Sequence, residues 1–138
     1  CRIASFVFSA LCFLLYHPAM QTRRHESDKD IMIVDASDAI NDDETERTVE
    51  RIEGEIDAGK VRKIIVDCSH VEFLSTFGLS MILRMRNSAA NINGEVKLCG
   101  LSPMIDQMLR ISKVAQLFLV YPDVEQARLS FRIRQRSI

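Results

Sequence analysis

The sequence predicts an α/β fold, a single domain built on a mixed, mostly parallel sheet with helices packed against it. From Asp30 onward, apolar runs of strand length alternate with amphipathic segments of helical period, which is the pattern of strands joined by helical crossovers. Ile64-Ile65-Val66 is a continuous apolar run, as expected for a strand buried on both faces, so it belongs at the centre of the sheet. The chain has 138 residues, 47% of them hydrophobic and 27% charged, enough for one domain with a real core.

The elements follow in order. Ile31-Met32-Ile33-Val34 is a short apolar strand, after which Asn41 is placed to cap a helix starting near Asp42. Asp42, Asp43 and Glu44 then fall in the first turn, where the helix dipole favours carboxylates. Thr45, Val49, Ile52 and Ile56 form one core-facing stripe, and Gly59 ends the helix where a left-handed residue is needed. Val61 to Val66 is the second strand. Phe77 to Asn91 reads as a helix with Leu79, Ile82, Leu83 and Met85 inward, and Asn93-Gly94 turns the chain into a strand from Glu95 to Cys99. Ser102 and Pro103 open a third helix, which packs through Ile105, Met108 and Leu109. Leu117 to Tyr121 reads as a strand, and Val124 to Phe131 as a closing helix after Pro122.

The N-terminus has a different character. Ile3 to Tyr16 is uncharged and mostly apolar, shorter than the roughly 18 residues of a spanning helix, and without a small-x-small cleavage site. It is a secretory or anchoring segment, an ordered part of the domain, or an upstream extension; the polar stretch Gln21 to Lys29 behind Met20 favours the last. The division expected is an apolar extension over 1–19 and a domain over 20–138. An exposed apolar segment also seeks cover, so self-association through residues 3–16 is a further expectation.

A formal net charge of -1 with interspersed signs favours neither nucleic acid nor an anionic membrane, and points to a protein partner. The arginines between Arg128 and Arg136 read as a solvated helix end. Cys1, Cys12, Cys68 and Cys99 form no CxxC pair, and His17, His25 and His70 are not at ligand spacing with them, so no metal is expected. Cys68 and Cys99 end apolar runs and read as small buried hydrophobes in a reducing compartment, and a cytoplasmic location is expected.

Chemistry-bearing motifs are few. Gly54 to Val61 imitates a phosphate loop, but its first glycine lies within a helix and Val61 stands where magnesium needs a hydroxyl. Asp67, Ser69 and His70 are too close in one loop to form a triad. No catalytic residue and no cofactor is expected, and the chain reads as a non-enzyme. What stands out is Val66 to Leu79: a buried strand ends, a loop follows, and Ser75-Thr76 opens a helix. One hydroxyl caps that helix, and Gly78 permits close packing of its first turn.

Residues from Ile31 to about Phe131 resemble a STAS domain, the fold of bacterial anti-sigma-factor antagonists and of the cytoplasmic tails of sulfate transporters. The resemblance is carried by Val66-Asp67-Cys68-Ser69, by Val71-Glu72-Phe73-Leu74-Ser75-Thr76-Phe77-Gly78-Leu79, and by Val96-Lys97-Leu98-Cys99-Gly100-Leu101-Ser102-Pro103. Met108 to Val114, Leu117-Phe118 and Asp123 to Ala127 complete it. In that family the loop before the second helix commonly reads Asp-Ser-Ser-Gly or Ser-Ser-Ala-Gly, and the hydroxyl two places before Gly accepts phosphate. The matching position is Thr76, with Ser75 the lesser alternative; Ser75 stands where Asp is common and Phe77 where a small residue is common.

The resemblance implies an anti-sigma-factor antagonist that binds a serine/threonine-kinase-type anti-sigma factor and is switched off by phosphorylation at Thr76, with a phosphatase reversing it. ATP and magnesium belong to the partner. Asp38, Asn41, Ser75, Thr76, Phe77 and Gly78 are the implied partner-binding residues. The alternatives are an unphosphorylated STAS subunit of a transporter or signalling assembly, with Phe77 as a contact anchor, and a nucleotide binder at the carboxyl ends of the strands.

Overall fold

The computed structural model describes residues 20–37 and 43–136. Five strands form one sheet in sequential order: β1 (Met20–Arg24), β2 (Ile31–Ser37), β3 (Lys63–His70), β4 (Glu95–Cys99) and β5 (Leu119–Tyr121). Strand β1 runs antiparallel to β2, while β2 to β5 are parallel, so the sheet is mixed and mostly parallel. The crossovers are α1 (Asp43–Asp57), α2 (Thr76–Asn91) and α3 (Pro103–Ile111). Each crossover carries the chain one strand further in the same direction, so a common right-handedness places all three helices on one face. Helix α4 (Val124–Arg136) covers the other face.

Strand β3 divides the core. Ile64, Val66 and Cys68 pack into the three-helix layer with Val49, Ile52 and Ile56 of α1 and Ile82 and Met85 of α2. Ile65 points the other way, to Ile31, Ile33, Cys99, Ala127 and Phe131. Burial of each large aliphatic contributes about 1.5–3 kcal/mol, so the α1 stripe, with Val49, Ile52 and Ile56 wholly buried, anchors its helix firmly. Arg84 of α2 adds a link between helices by pairing with Glu53 and Glu46 of α1.

Local signals act as the sequence indicates at several points. Gly59 has φ +73 after α1, and Asn93 has φ 60 in the turn before β4. Ser102 Oγ accepts from the Ile105 N–H at 3.3 Å with Pro103 in the first turn of α3. Three readings need correction. Met20–Arg24 is a strand rather than a polar lead-in; at the sheet edge it needs only backbone pairing to β2, and its side chains bond outward, Arg23 to Asp35 at 3.1 Å. Leu117 belongs to a 3₁₀ turn over Ala115–Leu117, and β5 begins at Leu119. Arg128 is buried rather than solvated, with 2.8 Å to Asp28 and a second pairing to Glu125. The expected cap Asn41 and the segment 1–19 lie outside the described residues.

Two outcomes follow. A Cβ on Gly94 would lie 2.6 Å from the Arg62 carbonyl oxygen, so Gly94→Ala is expected to lower the unfolding free energy by about 1–3 kcal/mol in urea titrations. The Arg128 guanidinium donates to Asp28 and Glu125 and holds both carboxyls below their ordinary range. Because folding depresses these values, the contribution is complete above the unfolded carboxylate range near about 4 and is lost as pH falls through and below it. Urea midpoints between neutral and acid pH are expected to fall less steeply for Asp28→Asn than for the parent chain.

Candidate functional site

The loop between β3 and α2 is held at both ends and open in the middle. The Val71 N–H donates to the Cys68 carbonyl at 3.0 Å, and the Ser69 N–H donates to Asp67 Oδ1 at 3.0 Å, so β3 closes in a tight turn. Val71 and Leu74 are buried and pin the loop to the three-helix layer. Between them Glu72 and Phe73 face solvent, Phe73 with 63% of its surface exposed.

Helix α2 then starts with a division of labour between the two hydroxyls. Ser75 is the N-cap, in extended conformation (φ -79, ψ 169), and its Oγ accepts from the Gly78 N–H at 3.1 Å. Its carbonyl accepts from Leu79 N–H at 2.9 Å. Thr76 is the first helical residue and is exposed. The helix has no acidic residue in its first turn, so its positive N-terminal end is not offset by a carboxylate of its own there. Gly78 is buried under this turn.

Of the residues expected to form the site, Ser75, Thr76, Phe77 and Gly78 are consecutive on this turn, while Asp38 and Asn41 lie outside the described residues. Phe77 is half-buried and packs against the core, and its carbonyl accepts from Ser80 Oγ at 2.6 Å. A second aromatic, Phe73, lies four residues earlier and is more exposed. With Met104 (69% exposed) and Ile111 (75% exposed) of α3 it lines a shallow groove of about 300 Å³ beside the loop. Sequence reasoning passed over these three. The available signal was local: each interrupts the inward stripe of its own segment, with Met104 next to inward Ile105 and Ile111 two places beyond Leu109.

Other candidate chemistry is weak. Burial pushes the Cys68 and Cys99 thiols up to about 12, so neither is a reactive nucleophile. Among the described residues no group of three or more His, Cys, Asp and Glu side chains is arranged to hold a metal. No helix among them is long and apolar enough to cross a membrane.

Ser75→Ala is expected to cost about 1 kcal/mol through loss of the cap, whereas Thr76→Ala is expected to change stability by less than about 0.5 kcal/mol. Thermal unfolding of the two variants measures this, and the reverse order would reassign the cap.

Comparison with known proteins agrees with this architecture. The STAS domain profile matches residues 21–127. BtrV of Bordetella bronchiseptica, assigned as an anti-sigma factor antagonist, is 25% identical over 93 residues, covering 67% of this chain and 79% of BtrV. The phosphorylated form of the Bacillus cell fate determinant SpoIIAA superposes with a TM-score of 0.61 at 16% identity, over 81% of this chain and 99% of that one. The murine anion transporter Slc26a9 matches with a TM-score of 0.66 at 14% identity, over 94% of this chain and 24% of the transporter. The two solved structures share the fold. With its sheet order, its helix placement and a profile match over most of its length, this chain belongs to the STAS domain family.

Proposed function

We propose that the chain is an anti-sigma-factor antagonist that works by binding a protein partner rather than by catalysis, and that Thr76 is its phosphorylation switch. The observation that carries this reading is the division between the hydroxyls: Ser75 is engaged in capping α2, while Thr76 stands exposed at the first helical position. The likeness to BtrV supports the choice of function within the family. In the unmodified state the β3–α2 turn and the groove beside it form the surface offered to an ATP-binding anti-sigma factor, whose sigma factor is thereby released.

The switch is electrostatic. Thr76 Oγ attacks the γ-phosphorus of ATP held by the partner, ADP leaves, and the hydroxyl proton is lost. The new phosphate brings about 1.5–2 negative charges to a close interface and demands donors there. The open N-terminal turn of α2 tolerates the anion within this domain, so modification disrupts the contact and leaves the fold in place. A phosphatase resets it. ATP and magnesium belong to the partner, and a cytoplasmic location is implied by that role. Asp38 and Asn41 are assigned to the same interface, with residues 20–138 as the functional unit and 1–19 as an extension.

A second reading, a STAS subunit of a transporter or signalling assembly, draws on the exposed Phe73, Met104 and Ile111, because that surface needs no modification to bind. Incubation of the pure chain with the anti-sigma kinase of its own host and labelled ATP separates the two. The switch predicts label on the Thr76 peptide and at least about tenfold weaker partner binding by Thr76→Glu. An unlabelled Thr76 together with unchanged binding by Thr76→Glu would overturn it in favour of the subunit.

A further inference from the structure

The two faces of the sheet are closed in physically different ways. On the three-helix face, α1 alone inserts four side chains with no exposed surface, Thr45, Val49, Ile52 and Ile56. On the other face α4 is the covering helix, and its described contribution to the buried apolar cluster is Ala127 and Phe131, with Val124 partly buried. Much of its attachment is polar. Lys97 of β4, 1% exposed, points toward α4, where its Nζ lies 2.5 Å from Ser130 Oγ and 3.9 Å from the centre of the Phe131 ring. The buried ammonium loses water on docking, which offsets part of what these contacts return.

The remaining tie is ionic, centred on a largely buried pair with Asp28 and flanked by exposed partners, of which Glu125 lies within α4 itself. Arg128 bonds to Asp28 in the β1–β2 loop at 2.8 Å and to Glu125, and Arg132 reaches Asp28 at 3.3 Å. Glu125 and Arg132 are more than half exposed, so salt screens these outer members, while the Arg128–Asp28 pair at the centre is largely buried. Among the described side chains α4 is held by Phe131, Ala127 and a partly buried Val124 together with a desolvated lysine and one buried ion pair, and such a helix opens at lower cost than one held by a full aliphatic stripe.

We propose that α4 is a detachable cover, latched by Arg128, that opens as a unit and exposes Ile31, Ile33, Ile65 and Cys99 while the three-helix layer stays folded. This is independent of the Thr76 reading, since it concerns the opposite face and requires no partner. The open state presents an apolar strip flanked by the Lys97 ammonium, a conditional surface absent from the closed domain.

The molecule contains its own paired reporters. Cys99 lies under α4 and Cys68 under the three-helix layer; both are buried free thiols. Burial raises both to about 12, so in the closed state neither is activated relative to the other. The full chain with Cys1→Ser and Cys12→Ser is prepared in two forms, Cys68→Ser and Cys99→Ser, leaving one core thiol in each. N-ethylmaleimide labelling under native conditions is followed by intact mass.

The expected result is labelling of Cys99 at least about tenfold faster than Cys68, with a further acceleration of about tenfold at Cys99 alone on Arg128→Gln. Raising salt is expected to act in the same direction on Cys99 only. Phe131→Leu supplies a second variant that loosens the cover without touching the ion pairs. Equal rates at the two thiols, or equal acceleration of both by the variants, would show that α4 leaves only in global unfolding and would overturn the proposal.

Discussion

Burial of β3 on both faces is the constraint from which the rest of the architecture follows. A strand that alternates Ile64, Val66 and Cys68 toward one layer and Ile65 toward the other must be central, must have neighbours on both edges, and must be covered above and below. Parallel pairing to β2 and β4 then requires long crossovers, and a shared hand collects them on one side. A one-residue slip of β3 would exchange its faces and turn Lys63 and Asp67 toward the three-helix layer, so register is strongly fixed. That register determines where the strand stops, and hence where Ser75 caps and Thr76 is displayed.

The display is economical in residues. Val71 and Leu74 fasten the loop inward, Gly78 lets the first turn of α2 sit low, and half-buried Phe77 packs against the core. These inward attachments leave Thr76 and Phe73 outward on a stiff support, beside the exposed side chains of α3. The bulk of Phe77 thus adds to the anchoring of the turn.

Legibility in the sequence tracked the strength of the physical signal. The α1 stripe, Gly59, the Asn93-Gly94 turn and the Ser102-Pro103 helix start were readable because apolar period, left-handed backbone and capping each leave a local trace. Strand β1 was not, because an edge strand pairs through its backbone and its Gln-Thr-Arg-Arg side chains carry no apolar alternation. The burial of Arg128 was hidden for another reason: its partner Asp28 is a hundred residues away, and only the fold brings them together. At the site, Ser75 and Thr76 were both visible as hydroxyls, but which one caps depends on the exit angle of β3 and its loop. The groove of Phe73, Met104 and Ile111 joins two segments and has no sequence signature as a pair.

In the proposed function this chain meets its protein partner through the β3–α2 turn and the adjoining face of α3. Hydrogen exchange of the full chain, with and without the ATP-binding anti-sigma factor of its own host, tests it most directly. Protection is expected to concentrate in residues 71–79 and 103–112, with α4 and β5 unchanged. Protection confined to α4 or to β5, with the Thr76 turn exchanging as in the free chain, would contradict it.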